Sequence, residues 1–152
     1  VVTFAVAERR VIILRHGAPD NTVFAELTFP DSVFWTRNGP DSVTVVVRPR
    51  PGLYAMDLAM TVIPARGATI KFKYPVHFEP PRDAVTRFAR RIARVPGLGS
   101  LARFEQALAV GRLADGTNFA LLPSLRPASD NLEAALPGPG TYMVAAPRES
   151  SR

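Results

Sequence analysis

Ser42-Val43-Thr44-Val45-Val46-Val47-Arg48, then Pro49-Arg50-Pro51-Gly52, then Tyr54-Ala55-Met56-Asp57-Leu58-Ala59-Met60-Thr61-Val62 is the stretch that decides the fold. Val43, Val45 and Val47 share one face. Tyr54, Met56, Leu58, Met60 and Val62 alternate with smaller or polar residues, as one-sided strands require. The proline–glycine run between them is turn chemistry. Two adjacent segments of period two joined by a turn predict neighbouring antiparallel strands.

The pattern extends outward in both directions. Upstream, strands are expected at Thr3–Val6, Arg10–Arg15 and Thr22–Phe29, separated by Gly17-Ala18-Pro19-Asp20-Asn21 and followed by Asn38-Gly39-Pro40-Asp41. Downstream, Thr69–Tyr74 sets Ile70, Phe72 and Tyr74 against Lys71 and Lys73, after the turn Pro64-Ala65-Arg66-Gly67. Ala114-Asp115-Gly116-Thr117 reads as a hairpin turn into Asn118–Leu122. Leu132–Leu136 turns at Pro137-Gly138-Pro139-Gly140 into Thr141–Ala146. Fifteen prolines oppose a helical bundle, and Pro75 marks 74–78 as an edge strand or bulge. Regular short strands predict an all-β antiparallel sandwich, immunoglobulin-like or related.

One segment breaks the rhythm. Asp83 is placed to cap a short helix over about 83–95, with Ala84, Val85, Phe88 and Ile92 on one stripe and Pro96-Gly97 as its stop. Residues 101–113 fit a helix or a strand. The expected organisation is one sandwich domain over 1–147 with that helical insertion, and a tail at 148–152.

Composition excludes much chemistry. The chain has 152 residues, no cysteine and two histidines. Disulfides, thiolate zinc sites, iron–sulfur clusters and thiol catalysis are therefore ruled out, as is a three-histidine metal site within one chain. No cofactor is expected. The net charge of +6 is concentrated: seven arginines lie between Arg82 and Arg112, against Asp83 and Glu105. Arg87, Arg90, Arg91 and Arg94 on one helix face would suit a protein partner or an anionic lipid surface. Nucleic acid is not expected, because neither exposed aromatics nor a groove-reading helix accompanies them. Phe34 and Trp35, in Asp31-Ser32-Val33-Phe34-Trp35, either plug the sandwich end or anchor a partner.

Other candidate sites are sparse. His77 with Glu79, between Pro75 and Pro80, would be an acid–base or metal pair, or a plain turn. Asp20, Asp31, Asp41 and Asp115 fall in turns, where carboxylates bond their own backbone. Nucleophile-elbow, Walker and dinucleotide-loop spacings are absent from the sequence.

Ile13-Leu14-Arg15-His16-Gly17 resembles the signature of histidine phosphatases and phosphoglycerate mutases. The resemblance implies His16 as the phosphoryl-carrying nucleophile and Arg15 as part of the clamp. That family continues with a helix feeding a parallel sheet, whereas 22–62 reads as strands and turns, and His77 does not match the second-histidine motif. The C-terminal half resembles the β-sandwich modules of ankyrins and netrin receptors. The residues that carry this are Val62-Ile63-Pro64, Ala120-Leu121-Leu122-Pro123-Ser124 and Gly140-Thr141-Tyr142-Met143-Val144. Phe119 stands where those modules would have tryptophan. The resemblance implies interaction or scaffolding rather than catalysis.

The sequence-level expectation is a non-enzymatic structural or interaction subunit that docks on a larger assembly. A membrane-extrinsic subunit bracing a bacterial photosynthetic or respiratory complex is the specific form expected. The rivals are phosphoryl transfer at His16 and a carbohydrate-binding module using Tyr54 and Tyr74. The chain opens Val1-Val2-Thr3 and holds no apolar run of transmembrane length. The expectation is an exported, extracytoplasmic protein whose leader has been removed.

Overall fold

A computed structural model describes residues 1–19, 21–50, 54–73, 107–116, 118–128 and 130–145. Eleven strands are present among them: β1 (Val2–Ala5), β2 (Arg10–Arg15), β3 (Val23–Phe29), β4 (Ser42–Arg50), β5 (Ala55–Met60), β6 (Thr69–Lys73), β7 (Ala109–Leu113), β8 (Phe119–Leu121), β9 (Ser124–Leu125), β10 (Asn131–Ala135) and β11 (Gly140–Ala145). They form a six-stranded sheet in the order β1-β4-β5-β11-β7-β8 and a five-stranded sheet in the order β2-β3-β6-β10-β9. Every pairing is antiparallel. The all-β sandwich is the fold of the protein. No helix among the described residues is long and apolar enough to cross a membrane.

Alternation explains how the two sheets close on each other. Phe4, Val43, Val45, Met56, Leu58, Val110 and Tyr142 point inward from the larger sheet. Ile12, Leu27, Phe29, Ile70, Phe72, Leu132 and Ala134 answer from the smaller one. The outer face of the smaller sheet is polar at its centre. Lys71 stands opposite Glu26 on one side and Glu133 on the other, with its ammonium 3.5 Å from the Glu26 carboxylate. Each inward Leu, Ile or Phe contributes about 1.5–3 kcal/mol on full burial.

The decisive stretch does form neighbouring strands, with Val45 opposite Met60 and Val47 opposite Leu58. Three details depart from simple alternation. The pairing of β2 with β3 shifts between Leu14 and Arg15, so Leu14 faces Ala25 and Arg15 faces Val23. Phe24 is the extra residue of this bulge. Both Phe24 and Ala25 are consequently buried, which a regular strand would not allow. Residues 109–113 of the ambiguous segment are a strand, and Ser124–Leu125 adds a two-residue strand not expected from sequence. The proline–glycine turn at 137–140 carries the chain from β10 in one sheet to β11 in the other, and so is an inter-sheet corner.

That corner has its own lock. Tyr142, fully buried, donates its hydroxyl hydrogen to the Gly138 carbonyl oxygen at 2.6 Å. A tyrosine at the start of a strand, bonded to backbone four residues upstream, is the tyrosine-corner geometry of Greek-key sandwiches. Arg112 stands opposite Tyr142 in register. Its guanidinium lies 5.9 Å from the ring centroid, and Nη2 donates to the Pro139 carbonyl. Gly140 has a φ of +151°, and a Cβ there would sit 2.9 Å from the Leu113 carbonyl oxygen, so the corner needs glycine.

The expected helix over 83–95, the edge strand or bulge at 74–78 and the tail at 148–152 lie outside the described residues.

Candidate docking surface

One end of the sandwich gathers the loops 6–9, 30–41, 61–68 and 136–139 together with residues 114–116, as the strand directions require. The 30–41 loop is built on backbone hydrogen bonds. Val33 N–H donates to Pro30 O at 3.2 Å, Trp35 N–H to Ser32 O at 3.0 Å and Gly39 N–H to Thr36 O at 3.0 Å. Ser32 and Asn38 adopt left-handed conformations with φ near +60°, which turn the chain back on itself. Three further bonds tie the loop to its neighbours: Ser32 N–H to Ala7 O, Val6 N–H to Asp41 O and Ala65 N–H to Val33 O, the last at 2.8 Å.

This backbone separates the two adjacent aromatic residues. Phe34 is 1% exposed, with its ring 4.9 Å from Phe29 and 5.8 Å from Phe4, so it plugs the core between the sheets. The expectation that Phe34 contacts a partner is corrected on this point, because its surface is already spent on the core. Trp35, one residue on, is 59% exposed.

The Val33–Ala65 bond brings a second apolar side chain to the same end. Ile63 is 66% exposed and lies two residues from that bond, as Trp35 does. Two residues of chain span at most about 7 Å between Cα atoms, so both side chains belong to one end surface. Arg37 and Arg66 are exposed on the same two loops. The sequence singled out Trp35 but missed Ile63. A lone exposed isoleucine leaves no pattern, and only the loop-to-loop bond shows that the two belong together.

The remaining expected site residues fall elsewhere. His16 sits at the opposite end, its ring 5.3 Å from Phe24 and 5.9 Å from Tyr54. Its backbone N–H donates to Thr22 O at 2.8 Å, while Nε2 is buried without a hydrogen-bond partner among the described residues. Arg15 directs Nη1 to the Asn21 carbonyl at 3.1 Å. The strand that ends at Arg15, just before His16, is antiparallel and at a sheet edge among the described residues, not the parallel strand that the phosphatase resemblance implies. Tyr54 is half-buried, with its ring against Phe24 and Phe72 and its hydroxyl donating to the Lys73 carbonyl. It belongs to the same aromatic cluster rather than to an open sheet face. Asp115 caps its own turn, accepting from the Asn118 N–H at 2.9 Å and from Nδ2 at 2.8 Å. Among the described residues no group of three or more His, Cys, Asp or Glu side chains is placed to hold a metal ion. Arg87, Arg90, Arg91 and Arg94, with Tyr74, His77, Glu79 and Asp20, lie outside the described residues.

A charged row crosses the outer face of the larger sheet. The Asp57 carboxylate accepts the Thr141 hydroxyl at 2.6 Å and the Arg50 Nε at 2.9 Å. The Thr141 bond, with help from Arg50, holds the carboxyl below its ordinary range against the opposing effect of desolvation. The row stitches β4, β5 and β11 together.

No known protein family, curated protein or solved structure matches the chain.

Proposed function

We propose that the protein is a non-enzymatic interaction module that docks on a larger assembly, with Trp35 as its anchor. The observation that carries this reading is one large aromatic side chain held in solvent by a loop whose backbone is already hydrogen-bonded. Interface energetics are dominated by a few aromatic or arginine residues, tryptophan foremost. A loop that is ordered before binding avoids most of the entropy cost of docking. Ile63, Arg37 and Arg66 are exposed on the same two loops of this end and add an apolar side chain and two cations to it. We assign the partner as a protein of an extracytoplasmic membrane complex, with the arginines at 87, 90, 91 and 94 as a second contact.

The test is co-purification of the tagged protein with membrane assemblies from its native cell. A discrete complex is expected with the wild type and should be lost with Trp35→Ala. It should weaken when the four arginines become glutamate. Recovery of the same complex with Trp35→Ala would remove the anchor from the reading.

A further inference from the structure

We propose that β2 is a homodimerisation edge, along which two copies of this chain join their five-stranded sheets. Among the described residues β2 is bonded on one side only, to β3, so one row of its backbone N–H and C=O groups faces outward. Such a row is a template for another extended strand. The four terminal strands of the two sheets are unequal. β8 has three residues and β9 two, with Pro123 and Pro127 beside them; β1 has four and β2 six. Beside charged side chains and bulges, short length and nearby proline are two of the protections of an open edge. The longest edge has neither, and it carries Val11-Ile12-Ile13-Leu14, the strongest β-forming run at any of the four edges.

The outer face of β2 is also apolar. Val11 is 38% and Ile13 50% exposed, whereas Ile12 points into the core and Leu14 is half-buried. A second copy fits this edge because the strand is self-complementary. Antiparallel pairing with Ile12 on the two-fold axis sets Val11 opposite Ile13 of the second copy, and Ile13 opposite its Val11. Directly opposed residues of antiparallel strands lie on one face, so the four exposed side chains meet as one cluster. Arg9 and Arg15 then oppose each other at both ends, where like charges disfavour pairing beyond the five residues Arg10–Leu14. The interface is isologous and uses up the edge, so it closes at two copies instead of propagating.

The proposal predicts a dimer mass for the full chain in sedimentation velocity. The double variant Val11→Lys/Ile13→Lys should halve that mass while keeping a cooperative melt, since both positions face solvent in the single copy. A second measurement uses the absence of native cysteine. An oxidised mixture of a Val11→Cys protein with an Ile13→Cys protein should give a cross-linked dimer that neither protein gives alone. A monomer at the highest soluble concentration overturns the proposal, as does a dimer that survives the lysine pair or lacks the mixed cross-link. Loss of the dimer would leave the Trp35 reading untouched, because that anchor lies on a different surface.

Discussion

The hydroxyl of Tyr142 reaches back four residues to the carbonyl oxygen of Gly138, 2.6 Å away in the buried corner between the two sheets. Gly138 is itself buried, and among the described residues the Tyr142 hydroxyl is the donor seen at its carbonyl. Tyr142→Phe keeps the ring and deletes the bond, leaving a desolvated acceptor. The expected cost is about 1–3 kcal/mol, read as a lower urea midpoint at unchanged slope.

The same residue predicts an alkaline limit. Burial raises the Tyr142 phenol above its ordinary value, against smaller opposing effects of Arg112 and the Gly138 bond. The folded state therefore keeps its proton where the unfolded chain, ionising at about pH 10, gives it up. This contribution is complete below that pH and is lost as pH rises through the raised value. Melting temperature should fall across that window in the wild type and fall less steeply in Tyr142→Phe.

Adjacent aromatic residues should behave oppositely. Phe34→Ala empties a packed site between Phe4 and Phe29 and should cost about 3–5 kcal/mol. Trp35→Ala removes an exposed ring and should stay within about 0.5 kcal/mol of wild type while abolishing docking. Chemical denaturation measures the first, and the co-purification assay the second.

Asp57 offers a site-specific readout. Thr141→Val deletes the shortest bond to its carboxylate, so Asp57 should titrate nearer to an ordinary aspartate, as followed by NMR of its carboxyl carbon. Because the folded value is depressed, the linked stabilisation is present above about pH 3.9 and is lost as pH falls through the lowered value. The variant should therefore show a weaker acid dependence of stability.

Gly111 is covered by a ring. A Cβ there would lie 2.8 Å from Cε2 and Cζ of Phe119 and 3.2 Å from the Ala145 Cβ. Gly111→Ala should cost about 1–3 kcal/mol through overpacking. Since Phe119 sits on an exposed edge strand and can swing away, Phe119→Ala should relieve part of that cost. The double variant would then be more stable than the sum of the two singles predicts.

Most strands could be read from the sequence because one face of each is buried and the other is not. Thr69–Lys73 shows this clearly, its apolar and polar residues changing places at every step, whereas Arg10–Arg15 is an unbroken apolar run between its terminal arginines. Ala109–Leu113 hid because Gly111 gives no alternation signal and Arg112 points inward over Tyr142. Phe24 hid because a bulge places it out of phase. The corner at 137–140 looked like any hairpin turn, since its destination in the other sheet depends on contacts far along the chain. At the docking surface the residue types were legible, but the split between Phe34 and Trp35 was not. Both are large and apolar, and only the turn bonds from Pro30, Ser32 and Thr36 decide which of them faces the core.

The middle of the larger sheet is occupied by β11, flanked by β5 and β7. In order of synthesis β11 comes last of the eleven strands, about 80 residues after its neighbour β5. At roughly 5–20 residues per second, the inner edge of β5 waits on the order of ten seconds for its partner. During that interval the edge of β5 that β11 will cover has no partner, so a nascent chain has a period of vulnerability before the larger sheet can close. Insertion of the final strand is thus the step that joins the two halves of the sheet, and a chain stopped short of Gly140 would leave them separate.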